Sequence, residues 1–307
     1  MKQKLELPYL EVIRKILAEG KDHNDRTGTG TKRVFATFSE YDLTQGNLPM
    51  ITTRKLAHRL AVEELIWMMS GSTDNKLLQD KNVKIWNGNS SKEECAKFGR
   101  EENDLGPIYG HQMRNYNATK REVPLKEDYW SESNQRWVNR AYNDDGFDQI
   151  KNMFNMIEKS PDSRRIIVNS FHPVEAVLVN PPPCHSFFQV QVNEGKINLL
   201  LLQRSGDNFL GTPTNILFYS ILAILIAKLT DYEPGVFAHQ IVDSHIYKDH
   251  IEQCQELLKR QPYDSPSVKI NDRLKGKGFS GLLDFKFSDI VVEDYQHHPS
   301  LKGKMSV

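Results

Sequence analysis

The sequence predicts an α+β fold in which a large mixed β-sheet is backed by helices. Three observations carry this. Strand-like and helix-like patterns are interleaved without strict βαβ alternation. The stretch 216–227 is apolar nearly throughout and reads as a buried helix. No segment repeats and no compositional shift divides the chain, so residues 1–307 are read as a single domain.

Leu10, Ile13, Ile16 and Leu17 recur at helical spacing and predict an amphipathic first helix over 8–19. After the turn-rich stretch 23–31, residues 33–41 read as a strand. Residues 60–69 are apolar nearly all round and form a core helix that Glu63 and Glu64 interrupt. A glutamate in such a helix lies at its exposed edge or serves a function. Residues 115–148 are polar and poor in aliphatics, although Tyr129, Trp130 and Trp137 sit among them. They read as a polar surface insertion, because no second compositional regime follows. A helix is expected over 147–159, a strand over 165–171, and a strand pair over 186–192 and 196–203 around a turn at 193–195. The apolar helix starts near Thr214. A strand at 237–242, a helix at 244–260 and a strand pair near 267–270 and 285–292 complete the chain.

Composition excludes several classes. Apolar residues make up 38%, enough for a substantial core. The 40 basic and 40 acidic side chains cancel, which argues against broad electrostatic binding to nucleic acid or anionic membrane. Cys95, Cys184 and Cys254 are odd in number and widely spaced, so neither a disulfide framework nor a metal site is expected, and a reduced cytoplasmic compartment is (a host's cytoplasm for a viral protein). The N-terminus lacks a signal-peptide h-region. The apolar run of 12 residues falls short of the roughly 20 that span a bilayer.

Five segments can carry chemistry. Pro181-Pro182-Pro183-Cys184-His185 fixes backbone angles ahead of a cysteine at the start of a strand. That cysteine is either a small buried hydrophobe or a nucleophile, and a nucleophilic thiol needs cationic neighbours to lower its pKa. Arginines are available in residues 25–31, in Ser163-Arg164-Arg165 and in Gln203-Arg204-Ser205-Gly206-Asp207. Arginine grips phosphate with a bidentate fork, and glycine and small hydroxyl residues let the backbone approach. Singly, such arginines also suit surface salt bridges. Residues 25–31 lack the glycine spacing and preceding strand of a dinucleotide fingerprint. In Leu210-Gly211-Thr212-Pro213-Thr214-Asn215, the last residue either caps the apolar helix or reads a base edge with its amide. Asp243-Ser244-His245-Ile246-Tyr247 fits a capped helix start with a packed tyrosine, or a ligand contact.

In this order the segments resemble the thymidylate synthase family. The resemblance runs from about Leu5 to Val307, outside 115–148, on separated motifs. They include NDRTGTGT (24–31), TTRK (52–55), EELIW (63–67), KIW (84–86), DLGPIYG (104–110), PDSRRII (161–167), PPCH (182–185), QRSGD (203–207), DSHIY (243–247) and HHPSLK (297–302). It implies that family's fold, with sheets packed across a homodimer interface, and dUMP and reduced folate as small-molecule partners without membrane or obligatory nucleic acid. It implies Cys184 as the nucleophile at C6 of dUMP. Arg26, Arg204 and Ser205 would hold the 5′-phosphate, and Arg164 and Arg165 would reach the other subunit's phosphate. Asn215 would read the uracil edge, Gln203 would also contact dUMP, and His245 and Tyr247 would hold the deoxyribose hydroxyl. Glu64, with Tyr109 and His185, would manage protons through ordered water. Asp207 would hold the pterin, with Ile85, Trp86, Leu210, Gly211, Thr214, Tyr247 and Val307 around the folate. Methylenetetrahydrofolate would be the cosubstrate, with no metal.

The nucleotide side matches the family pattern and the folate side departs from it. Thr214 stands where synthases carry phenylalanine, Met113 where many carry tryptophan, and Phe171-His172 where Trp-Asn is usual; Ala57 and Val242 also differ. A polar folate pocket suits a dUMP hydroxymethylase, in which water rather than hydride attacks the methylene and tetrahydrofolate is released. Asn215 keeps uracil as the base in either case. Abundance favours the synthase, which methylates dUMP to dTMP and yields dihydrofolate. A non-catalytic nucleotide-binding or RNA-binding relative would need the phosphate arginines but not Cys184, Glu64, Asn215 and Asp207 together.

Overall fold

A computed structural model describes residues 3–25, 27–117 and 146–304. Most of the insertion expected at 115–148, together with Arg26 and Val307, lies outside the described residues. The helices used below are α1 (Leu7–Glu19), α2 (His58–Met69), α3 (Tyr109–Arg114), α4 (Gln149–Lys159), α5 (Gly211–Thr230) and α6 (Ile251–Lys259). The strands are β1 (Lys21–His23), β2 (Thr31–Asp42), β3 (Ile167–Asn169), β4 (His185–Asn193), β5 (Lys196–Asp207), β6 (Glu233–Tyr247), β7 (Ser267–Ile270) and β8 (Ile290–Glu293). Six strands form one mixed sheet in the order β1-β2-β6-β5-β4-β3, and β7-β8 is a separate ribbon. Within the large sheet β5 and β6 run parallel and the other neighbours antiparallel. The expected α+β architecture is therefore present.

Each helix that backs the sheet shows why it forms. In α1 a proline stands at the first turn, Tyr9, Leu10, Ile13 and Ile16 are buried, and Gly20 leaves the helix in extended conformation. A Cβ at Gly20 would stand 2.4 Å from the Ile16 carbonyl oxygen, so the chain can turn into β1 there only without a side chain. Helix α5 is 20 residues long, and residues 216–227 are buried all round; Asp231, at φ 59°, caps its end. By length and composition α5 could cross a membrane, yet most of it is buried inside the protein. Burying each such Leu or Ile stabilises the fold by roughly 1.5–3 kcal/mol, which makes α5 the spine against which β5, β6 and α2 pack.

The sheet corrects three sequence expectations. The helix predicted over 244–260 begins only at Ile251; Ser244 to Tyr247 continue β6. That segment is hydrogen-bonded on both sides, with Thr31↔Tyr247 to β2 and Asp207↔His245 to β5, and two ladders outweigh its weak helical preference. Residues 285–289 are not strand, since β8 starts at Ile290. Helix α5 starts at Gly211, so Asn215 stands in its second turn and does not cap it.

A line of irregularity crosses the middle strands at Ala36, Val242 and Arg204. The ladders step from Thr37↔Ile241 to Phe35↔Asp243 and from Gln203↔Ile241 to Ser205↔Asp243, leaving the residues between unpaired, and Ala36 has φ 52°. Before the line, Thr37, Ile241 and Gln203 belong to the buried face. Beyond it the parity reverses: Gly206, Ser244 and Ile246 are buried, while Ser205, Asp207, Asp243 and Tyr247 are half-buried. Such interruptions re-aim side chains, and here they turn polar residues of two adjacent strands toward one end of the sheet.

Candidate active site

Cys184 sits between the proline segment and β4, clamped by its backbone. Its N–H donates to the Tyr109 hydroxyl at 2.7 Å, and its carbonyl accepts from the Arg204 N–H at 2.9 Å. The Arg204 guanidinium lies 3.5 Å from the Cys184 sulfur and donates to the Pro182 and Pro183 carbonyls at 2.8 and 3.0 Å. Pro182 and Pro183 thus present the carbonyls that hold the arginine against the thiol. The expected lowering of the thiol pKa is met only in part. Burial raises it, while the charge of Arg204 and the Tyr109 hydrogen bond pull it down without prevailing. Burial thus favours the protonated thiol, and a nucleophilic role for it would need a proton acceptor.

The two glutamates of α2 have different fates. Glu63 is buried and paired with Lys81 at 2.6 Å. Glu64 accepts from the Trp86 indole N–H at 2.8 Å, and burial pushes its carboxyl up to about 7 despite that bond. Trp86 stands between Trp67 and Tyr109, with ring centroids 6.3 and 6.0 Å away. Glu64 therefore joins the Tyr109 group, within reach of a proton exchange near neutrality.

Behind Cys184, His185 packs on Tyr109 at 4.9 Å between centroids, and its Nδ1 is 3.1 Å from the Tyr219 hydroxyl. Burial lowers His185 to about 4, so the ring is neutral. Gln203 Oε1 receives the Asn215 amide N–H at 3.2 Å and meets His239 Nε2 at 2.6 Å. An amide oxygen only accepts, so that histidine nitrogen carries a proton; burial lowers His239 to about 3 and keeps it neutral. The two donors fix the Gln203 amide and, through it, Asn215.

At the mouth of α5, Asp207 Oδ1 accepts from the backbone N–H of Phe209 and Leu210 at 2.9 and 3.3 Å, shaping the turn that presents Gly211. Leu210, Gly211, Thr214, Ile85 and Trp86 are half-buried. On β6, His245 Nδ1 lies 3.0 Å from Asp243, and its ring meets Tyr247 edge-on at 5.3 Å. Asp243 also receives Arg33 at 2.7 Å; the His245 bond, then Arg33, holds its carboxyl below the usual range. Ser205 stands opposite Asp243 in the parallel ladder.

Arg164 and Arg165 are exposed ahead of β3, and Arg164 lines a cavity of about 590 Å³ on the outer face of the sheet with Phe38, Gln189 and Val236. Met113 is fully buried, His172 is buried against the Tyr116 ring, and Ala57 is exposed. Among the described residues no group of three or more His, Cys, Asp or Glu is placed to hold a metal ion. Sequence reasoning missed Tyr219, His239 and the Arg33–Asp243 pair. Reading 244–260 as helix hid the relation between Asp243 and His245, which share a side only in a strand.

A family model described as thymidylate synthase matches residues 7–307. The chain belongs to the thymidylate synthase family. The thymidylate synthase of Mycoplasma mobile is 38% identical over 97% of this chain and 99% of its own length. A bifunctional dihydrofolate reductase-thymidylate synthase of Glycine max is 40% identical over 97% of this chain, and one of Paramecium tetraurelia 38% over the same share. The chain covers 53% and 61% of the lengths of those two bifunctional proteins.

Proposed function

We propose that the chain is a thymidylate synthase that converts dUMP and methylenetetrahydrofolate to dTMP and dihydrofolate. The observation that carries this reading is the approach of Arg204 to the Cys184 sulfur, with Tyr109 on the backbone N–H of the same cysteine. In the proposed reaction the Cys184 sulfur forms a bond to C6 of the uracil, and C5 becomes nucleophilic. C5 takes the one-carbon unit from the folate and loses its proton; hydride from tetrahydrofolate then reduces the methylene, and expulsion of the thiolate frees dTMP. Glu64, with a carboxyl near 7, suits the proton transfers, and the fixed Gln203–Asn215 pair suits a uracil edge. Ser205, Arg204 and Arg26 are assigned to the phosphate, His245 and Tyr247 to the sugar. Asp207, Ile85, Trp86, Leu210, Gly211, Thr214, Tyr247 and Val307 are assigned to the folate.

The functional unit is proposed to be a homodimer, with Arg164 and Arg165 reaching the partner's phosphate site. Support comes from the outer sheet face, where exposed Phe38 and Val236 line the Arg164 cavity and Phe35 and Ile167 are further exposed apolar side chains of the sheet; exposed apolar side chains on one face mark an interface. A reducing compartment such as the cytoplasm suits the three free thiols. The deciding experiment incubates the protein with dUMP and methylenetetrahydrofolate and determines the mass of the nucleotide. A methyl gain with dihydrofolate is expected. A hydroxymethyl gain with tetrahydrofolate would replace the synthase with a hydroxymethylase, and no adduct with 5-fluoro-dUMP would refute both.

A further inference from the structure

β6 carries Asp243 and His245 two positions apart, so both side chains leave the strand on one side. His245 Nδ1 lies 3.0 Å from an Asp243 carboxylate oxygen and 3.3 Å from the Asp243 carbonyl. Both partners only accept, so Nδ1 carries the proton, and the tautomer this geometry selects leaves the lone pair on Nε2. The other carboxylate oxygen accepts from Arg33 Nη1 at 2.7 Å. Arg33 stands directly across from His245 in the β2–β6 ladder, and its Nη2 meets His23 Nδ1 at 3.2 Å. The carboxylate is thus gripped from both ends, while the histidine is 9% exposed.

We propose that Asp243, clamped by Arg33, is a positioning residue that fixes the tautomer of His245, so that Nε2 accepts the hydrogen bond of the nucleotide's 3′-hydroxyl. The inference rests on the assignment of dUMP to this site. It gives the site a polarity: the sugar position selects a group that donates over one that only accepts. Arg33 acts through Asp243 and touches no substrate.

The test compares binding of dUMP with its 3′-fluoro analogue, which accepts but cannot donate, by calorimetry on the full chain. The protein should bind dUMP about tenfold more tightly than the analogue, the scale of one hydrogen bond lost. In Asp243→Ala only the longer contact to the backbone carbonyl remains on Nδ1, so the ring can also place its proton on Nε2, and the ratio should fall toward one. Arg33→Met should give an intermediate ratio, and it stands in for Asp243→Ala with the same criterion if that variant does not fold. A purely structural role would weaken both nucleotides equally. An unchanged ratio in the variants, or no preference in the parent protein, overturns the inference alone; failure of the parent to bind dUMP overturns the nucleotide assignment with it.

Discussion

Burial raises Glu64 toward 7 against the Trp86 hydrogen bond, and this has a measurable cost. The folded protein holds that proton more tightly than the unfolded chain, whose carboxyl titrates near 4.5. Stability conferred by the protonated form is therefore lost as pH rises from 4.5 toward 7. Glu64→Gln should be more stable than the parent at pH 8, by on the order of 2 kcal/mol, and the gap should close near pH 4.5; urea unfolding at the two pH values measures it. The same variant should lose activity, so stability and turnover move in opposite directions. His185 and His239, lowered by burial, act on the acid side: their neutral forms stabilise the fold above pH 6.5, and that contribution is lost as pH falls below it. Cys184→Ser should abolish turnover, by more than about a thousandfold, while dUMP still binds, because a hydroxyl cannot replace the thiolate. Near-normal turnover would remove Cys184 from the mechanism.

Among the elements, β2 depends on Ala36, which holds φ 52° where the ladder skips. A β-branched side chain is a steric outlier there, so Ala36→Val should lower stability by about 2 kcal/mol, whereas Ala36→Gly should be neutral or slightly stabilising. Thermal denaturation of the two variants separates these outcomes. The same place explains where the sequence was readable. The periodicity of α1 and the apolar run of α5 mark helices because their burial follows one local period. The end of β6 does not, because Ser244 to Tyr247 are strand only through partners far away in sequence. The turn of α5 that carries Asn215 was misplaced for a similar reason: Asp207, a residue of β5, shapes the helix entry.

For the whole molecule, the proposed pairing of two sheet faces makes a stoichiometric prediction. An Arg164→Ala/Arg165→Ala chain and a Cys184→Ser chain, each inactive alone, should recover up to about a quarter of parental activity when refolded together in equal amounts. Random pairing makes half the dimers mixed, and each mixed dimer has one intact site of two. Activity that stays at the level of the separate variants would place both arginines in their own subunit's site. Cys184, Asn215 and the arginines stood out in the sequence as motifs, since their chemistry needs particular residue types. Their supports, Tyr219, His239 and Arg33, did not, because each belongs to a different element and meets the site only after folding. The parity reversal at Ala36, Val242 and Arg204 has one more consequence. It acts as a reading frame shared by three strands. Deleting one residue at that line from a single strand would drive Ser205 or His245 toward the core and bring a buried neighbour out. Matching deletions in the other two would restore the ladder register but turn the polar residues of all three strands inward, so the length of each strand at that line is fixed twice over, by its pairing and by its facing.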